Sequence, residues 1–358
     1  MASADMIKLG CVACGGISHA HGIAAQENAD RARFVACCDV VADRAKAWAE
    51  KYGCEHWYTD YKEMLTKEDL DAVVLATWPG QHRQQIERCL KAGIRNILCE
   101  KSLTITGREA MEIFDLAAEY RAFVMEGFMY RHHPAIIKLQ KLIADGEIGE
   151  VDTVRACFSE VDPETADPAD PNRNWRYKKE LAGGTPYDFA CYCVNTCRLF
   201  AGGVPKRVVC YGGISAKYDV INRMYGLIEY DNGRIGIIES SKTQAFLQDL
   251  QISGTTATLN LPIAYTILGE ITIERHHTVG WADVRRDLYH IGPCNSFVPQ
   301  MTNFADVIQG RAKPGMPLAE SVVNIFTVEA LVASLTEKRG VTVEIPDRIR
   351  SALGGLSA

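Results

Sequence analysis

An ammonium, a carboxylate and a phenol stand in this chain where a proton and a hydroxyl could be handled together. The segment RNILCEKSL, residues 95 to 103, is a short apolar run that delivers Glu100 and Lys101 at its carboxyl end. Active sites of open α/β sheets gather at such ends. An ammonium placed there can hold two hydroxyls and stabilise an alkoxide as hydride leaves. The same residues also read as a plain surface Glu-Lys pair. In LAGGTPYDFACYCVNTCRL, residues 181 to 199, Thr185 and Pro186 read as helix cap and first helical position. Asp188 and Tyr192, four apart, then share one face. A phenol beside an ammonium has its ionised form favoured, which suits Tyr192 to take a proton from a substrate hydroxyl, with Asp188 accepting from a neighbouring one. The structural alternative is equally open, with Asp188 capping the helix and Tyr192 a core aromatic with a bonded tip.

LGCVACGGISHAHG, residues 9 to 22, follows an apolar strand and opens a helix. Gly15 and Gly16, with the flanking Cys14 and Ile17, would let the backbone approach a pyrophosphate, whose charge the helix N-terminus stabilises. Ala13 stands where the first glycine of a dinucleotide fingerprint falls, and Ser18 where a third small residue is expected. Asp39 ends the next strand, where a carboxylate accepts from both ribose hydroxyls and so favours NAD over NADP. Asp39 has a second reading as a charge on the dipole of the following helix, and Arg44 could offset it in favour of a 2′-phosphate. Cys11 and Cys14 have the spacing of a metal pair, but Cys11 lies inside the strand and no second pair follows, so no metal is expected. His19 and His21 read as packed or solvated histidines.

From residue 6 to about 127 the apolar runs IKLGCVA, RFVACCD, DAVVLAT, RNILCE and AFVMEGF alternate with helical segments such as VADRAKAWAEKYG and GQHRQQIERCLKAG, each ending in glycine. Runs apolar on both faces are buried parallel strands, so residues 1–127 predict an α/β, doubly wound Rossmann domain. From residue 128 the rhythm changes. A helix (AIIKLQKLIADGEIG), a strand (EVDTVRACFSEVD), a loop rich in Pro, Asp and Asn at 162 to 174, and a helix near 185 to 201 precede the strand-like KRVVCYGGIS, RMYGLIEYD, RIGIIESSKT and EITIERHH. Residues 128–358 predict an α+β domain with a large open, mostly antiparallel sheet, closed by helices around FVPQMTNFADVIQG and from LAESVVNIF to TEKRG that pack back near the first domain.

Composition bounds the rest. The chain has 358 residues, a formal net charge of -6 and scattered basic residues, so it offers no face for nucleic acid or an anionic membrane. No export signal and no run approaching the roughly 18 apolar residues of a membrane span are read, which places the protein in the cytoplasm with its thirteen cysteines reduced.

Taken together, the CGGIS loop, Asp39, ATWPGQH, CEKSL, EGFMYRHHP, LIADGEIGEV, NWR and GGTPYDFACY resemble the glucose-fructose oxidoreductase, inositol dehydrogenase and rhizopine-catabolism family, Gfo/Idh/MocA. The resemblance covers nearly the whole chain. It implies catalytic roles for Lys101, Asp188 and Tyr192, the last standing where many members have histidine. It also implies a cofactor wall that includes Thr77, Trp78, His82 and Glu100, and, by a looser match, pocket or cofactor neighbours Tyr130, Arg131, Trp175 and Arg176, for which a structural role is equally open. Ser102 departs from the family's proline after Glu-Lys, and Trp78 is inserted in its Thr-Pro segment. The implied activity is hydride transfer between NAD, with NADP the second choice, and a secondary alcohol or ketone of a sugar, cyclitol or related diol. The implied assembly is a homodimer or homotetramer formed through the second sheet. Two alternatives stay open: a redox-neutral enzyme with tightly bound NAD, and a ligand sensor that kept the fold and lost the chemistry.

Overall fold

The computed structural model describes residues 6–161, 174–279 and 283–354. The loop expected at 162 to 174 lies outside the described residues, Asn174 excepted. In chain order the first elements are β1 (Ile7–Val12), α1 (Ser18–Glu27), β2 (Ala32–Cys38), α2 (Ala42–Tyr52), β3 (His56–Tyr58), α3 (Tyr61–Lys67), β4 (Ala72–Leu75), α4 (Pro79–Lys91), β5 (Asn96–Glu100), α5 (Gly107–Glu119) and β6 (Phe123–Gly127). Then come α6 (Pro134–Ala144), β7 (Val151–Ser159), α7 (Cys191–Ala201), β8 (Pro205–Ile214), β9 (Ile221–Tyr230), β10 (Ile235–Ser241), β11 (Leu250–Gly254), β12 (Ala257–Leu261), β13 (Ile271–Val279), β14 (Asp283–Ile291), α8 (Phe297–Ile308), α9 (Leu318–Glu337), β15 (Val341–Thr342) and α10 (Asp347–Gly354).

By contact the chain divides into two units, Met1–Thr104 with Arg108–His132 and Asn295–Ser321, and Ile105–Gly107 with His133–Cys294 and Val322–Ala358. In the first, six parallel strands run in the order β3-β2-β1-β4-β5-β6. This is the doubly wound order of dinucleotide-binding domains. The five apolar runs read from the sequence are β1, β2, β4, β5 and β6. The added strand β3 is three residues long and largely exposed, too short to show a pattern. Every residue of β4 is buried, as a strand covered on both faces must be. Helix α2 stops at Gly53, whose φ of 74° is the left-handed conformation that glycine adopts without a Cβ penalty.

The second unit carries nine strands in the order β14-β13-β12-β11-β7-β10-β9-β8-β15. β7 and β10 pair in parallel, and the other pairs are antiparallel. Asp231-Asn232-Gly233 turns β9 into β10, with Gly233 at φ 83°. Strand β14 escapes a sequence reading because its DVRRDLYHI sits at the sheet edge, largely exposed, with charges where an inner strand would carry apolar residues. One correction concerns α9. Contrary to the expectation that no run is apolar enough, Leu318–Glu337 has the length and hydropathy of a membrane span. Val322, Val323, Ile325, Val328 and Leu331 are nonetheless buried in the fold, as in the core helix of a globular domain.

The approach to the second unit's polar centre depends on two glycines. Gly183 N–H donates to the Lys178 carbonyl at 2.8 Å and Gly184 N–H to the Arg176 carbonyl at 2.7 Å, folding the chain tightly before Thr185. Gly184 has φ 96°, and a Cβ there would sit 2.5 Å from the Ile221 carbonyl oxygen. Gly184→Ala therefore combines backbone strain with a collision against fixed main chain. It should lower the unfolding free energy by about 2–4 kcal/mol. A urea titration checks this as a lower midpoint at constant slope, and an unchanged midpoint would contradict the close approach.

Candidate functional site

In the first unit, the loop between β1 and α1 has the backbone that the glycine fingerprint demands, although Ala13 replaces its first glycine. Ala13 takes φ 73°, the left-handed region, and its N–H donates to the Cys38 carbonyl at 2.8 Å. The Ser18 hydroxyl closes the loop on the Gly15 carbonyl at 2.6 Å. A Cβ added at Gly15 or Gly16 would meet nothing within 4 Å. Among the described residues, the N–H groups of Gly15, Gly16 and Ile17 have no protein acceptor. Open space above two glycines and three unclaimed amides at a helix N-terminus form a cradle for a pyrophosphate, so the residues present fit a dinucleotide.

Asp39 is buried and serves the protein as well as any ligand. Its Oδ2 accepts from the Cys14 N–H at 2.9 Å, and its Oδ1 accepts from the Val41 N–H, also at 2.9 Å, at the start of α2. The helix-start reading is therefore realised. Arg44, half-exposed, lies 3.2 and 3.3 Å from the two oxygens.

At the end of β5, Glu100 is fixed from both sides. Its Oε1 is 2.7 Å from His21 Nε2 on α1, both groups buried, and its Oε2 accepts the Lys101 N–H at 3.2 Å. The edge of Phe297 abuts the His21 ring. The Lys101–Ser102 peptide is cis. His82, on α4, is wholly enclosed and faces main-chain carbonyls only: Ser102 at 3.0 Å and Leu103 at 3.2 Å from Nδ1, and Thr77 at 3.2 Å from Nε2. Burial lowers its pKa from the ordinary histidine value, with the three carbonyls acting the other way, and the ring fills the space between the Thr77 loop and the turn after Lys101. Thr77 donates to Gln85 at 2.6 Å, and Trp78 is the residue from which α4 starts.

Glu126 ends β6 and accepts the Leu103 N–H at 2.7 Å. It is fully buried, and burial, with the nearby Glu100 charge adding to it, pushes its carboxyl up to about 8. Tyr130 and Arg131 turn inward. The Tyr130 ring is enclosed edge-on to Phe128, and the Arg131 guanidinium is held by Glu320 at 2.7 Å. Both side chains are buried, in keeping with the structural role left open for them beside a pocket one.

In the second unit, Trp175 and Arg176 lie on a short 3-10 turn, Trp175–Tyr177, with the guanidinium 5.1 Å above the Trp175 ring. Arg176 Nε donates to Asp188 Oδ2 at 2.8 Å. Thr185 and Pro186 stand at the cap and first helical positions as expected, but the Thr185 side chain makes no cap hydrogen bond. Residues Pro186–Ala190 form a π-helical turn ahead of α7, and the Thr185 hydroxyl instead meets the Ser240 hydroxyl at 2.5 Å. A π turn widens the helical path, so the four-residue spacing from Asp188 to Tyr192 does not carry the α-helical geometry that the sequence reading assumed. Both side chains are buried. The Tyr192 ring lies 5.4 Å from Phe158 and 5.2 Å from Tyr265. Lys242, just past β10, was not singled out from the sequence. Its Nζ donates to Asp188 Oδ2 at 2.7 Å. The only local signal was one lysine closing an otherwise core strand. His21 is similar: a histidine in the first turns after a glycine loop gives no sign that its partner lies 79 residues on.

The fold and these two groups of residues define a dinucleotide-binding oxidoreductase with a separate sheet unit. Residues 7–128 match the family model described as "Oxidoreductase family, NAD-binding Rossmann fold", and residues 136–260 match "GFO/IDH/MocA C-terminal domain". A D-xylose 1-dehydrogenase (NADP(+)) of Haloferax volcanii is 30% identical over 84% of this chain and 89% of its own. The inositol 2-dehydrogenase of Rhizobium meliloti is 26% identical over 94% of this chain and 99% of its own. Among solved structures, a levoglucosan dehydrogenase in complex with NADH superposes with a TM-score of 0.83 at 20% identity, covering 95% of this chain and all of that one. The chain belongs to the Gfo/Idh/MocA oxidoreductase family.

The state of Glu126 has a pH signature. Its folded pKa of about 8 exceeds the ordinary 4.5. Below the lower value both folded and unfolded chains are protonated, and the group contributes no pH dependence. Between the two values the unfolded chain ionises first, so stability falls as pH rises, with the loss complete above the folded pKa. Glu126→Gln should abolish that segment of the slope, so the variant gains on the wild type progressively from mildly acidic to mildly alkaline pH. Melting temperatures across that range are the check, and parallel curves would count against a protonated Glu126.

Proposed function

We propose that the protein is an NAD-dependent dehydrogenase or reductase acting on a secondary alcohol, or the matching ketone, of a sugar, cyclitol or related diol. The observation that carries this reading is the open glycine cradle with its unclaimed amides in one unit, in a chain whose other unit buries an aspartate and a tyrosine among cations and aromatic rings. Cys14, Gly15, Gly16 and Ile17 would hold the pyrophosphate by backbone, and Asp39 the adenosine ribose. The Thr77–Trp78 segment and Glu100 would frame the nicotinamide side, with His82 fixing that frame from behind. When bound, the dinucleotide supplies the hydride acceptor.

Each polar side chain then has one task. Lys101 binds the reacting hydroxyl and stabilises its oxygen as negative charge develops. Tyr192 takes the hydroxyl proton, and Asp188 accepts a hydrogen bond from a second hydroxyl and so orients the ring. Asp39 favours NAD, since a 2′-phosphate would meet its charge. The Haloferax relative is named for NADP, and Arg44 beside Asp39 is the residue through which NADP could also be held.

A panel of sugars, inositols and dihydrodiols offered with NAD and, in parallel, NADP tests the reading through absorbance of the reduced nicotinamide. Turnover is expected with at least one polyol, at higher kcat/KM with NAD. Protein that binds NAD yet is silent with both cofactors would shift the reading to redox-neutral chemistry or ligand sensing. Tyr192→Phe should lower kcat by roughly 10²–10⁴-fold without changing the Kd for NAD; full activity with an unchanged pH profile would remove the phenol from the proton-transfer role.

We further propose a cytoplasmic homo-oligomer. All thirteen cysteines are free thiols, in keeping with a reducing compartment. On β8 and β9, Val208, Cys210, Met224 and Ile228 face the core, whereas Tyr211, Tyr225 and Leu227 are exposed on the opposite side. Paired Tyr211 and Tyr225, with Val209 beside Leu227, make a contiguous apolar strip of the kind that a second copy covers. Leu227→Lys should shift the sedimentation coefficient to that of the 39.6 kDa monomer, and a monomeric wild type would dismiss the assembly.

A further inference from the structure

Lys242 is a nearly enclosed ammonium that the reaction as described above does not use. Its backbone N–H continues the ladder beyond β10 by donating to the Asn222 carbonyl at 2.8 Å, so the residue is fixed at its root. Its Nζ lies 4.1 Å over the Phe189 ring and 2.7 Å from Asp188 Oδ2. Taking an ammonium and a carboxylate out of water together costs more than a well-packed apolar pair of the same volume, so stability alone is a weak reason for the arrangement.

We propose that Lys242 is a positioning residue that holds the buried Asp188 ionised and aimed as a hydrogen-bond acceptor, so that the site takes alcohols bearing a second, adjacent hydroxyl. The inference rests on the proposed polyol reaction and deepens it. An ionised carboxylate can only accept, and therefore requires a donor from its ligand, whereas a protonated one could donate to a ketone or ether. Burial drives a carboxyl toward the protonated state, as it does for Glu126 in this same chain even with the Arg131 charge acting the other way. At Asp188 two cations meet one oxygen, Arg176 at 2.8 Å and Lys242 at 2.7 Å. Arg176 is 41% exposed and its field is screened by water, but Lys242 is 4% exposed and its field is not.

Among the described residues, other titratable groups lie on the elements packed against Asp188. On α7 they are the Cys191 thiol, donating to the main-chain carbonyls of Tyr187 and Asp188, and the Tyr192 phenol. On β10 Glu239 is paired with Arg155 at 3.3 Å, and on β9 Arg223 is exposed. β7 presents the Phe158 ring, stacked on Phe189 at 4.3 Å.

Infrared difference spectra against Asp188→Asn read the ionisation of Asp188 with no need for turnover. The wild type should show an ionised Asp188 from mildly acidic pH upward, and Lys242→Met should show a carboxylic-acid band at neutral pH. With the preferred polyol, Lys242→Met should lose roughly 10²-fold in kcat/KM and move the acid limb of the profile to higher pH. Lys242→Arg should recover most of both, and the wild type's preference for the polyol over its adjacent deoxy analogue should shrink in Lys242→Met. An Asp188 already protonated at neutral pH in the wild type, or still ionised in folded Lys242→Met, would overturn the inference. The first of these results is read even if Lys242→Met does not fold. Failure of the wild type to oxidise any polyol, with Asp188 ionised and Lys242-dependent, would count against the reaction and not against the role of Lys242 in ionisation.

Discussion

A carboxylate taken out of water keeps its charge only where a donor is built in beside it, and much of this protein's polar interior follows from that constraint. Moving such an ion into the interior costs several kcal/mol even after relaxation. Four buried acids meet the demand in four ways. Asp39 accepts from two backbone amides with the Arg44 guanidinium beside it, Glu100 faces a histidine and one amide, and Asp188 receives two cations. Glu126, with one amide and no close cation bonded to it, is left with a raised pKa. The differences are environmental, since all four are simple carboxyls.

Those partnerships also bind distant parts of each unit. His21 ties the helix after the glycine loop to the end of β5, so one contact links the dinucleotide cradle to the Lys101 turn. His82 and Glu126 hold the same turn through the carbonyls of Ser102 and Leu103 and the amide of Leu103. In the second unit, Lys242 joins the end of β10 to the π turn, and the Thr185–Ser240 hydroxyl pair makes a second link between the same elements. Residues placed by several independent bonds lose little further freedom when a ligand arrives, which is how a site becomes preorganised.

The π turn shows how local geometry serves that end. Gly184, at a backbone angle closed to other residues and pressed against the Ile221 carbonyl, brings the chain into Thr185, and Pro186 starts the wide turn on which Asp188 sits. A regular α-helix would have offered its face at a different angle. Single π turns of this kind are found mostly within helices and often at functional sites.

Much of this could be read without coordinates. The run AVVLA within DAVVLAT is apolar at every position, as a strand buried on both faces requires, and the glycine loop after β1 carries its meaning in five consecutive residues. Sequence patterns of that kind are local, so they survive in one dimension. What depended on contacts across tens of residues did not. His21 with Glu100, Lys242 with Asp188, and the inward turn of Tyr130 and Arg131 are decided by which strands lie side by side, and neither residue type nor spacing along the chain records that. Thr185 marks the boundary: its type and its proline neighbour indicate a helix start, but only the tertiary structure, by setting Ser240 against its hydroxyl, decided that it would bond across to the sheet instead of capping the helix.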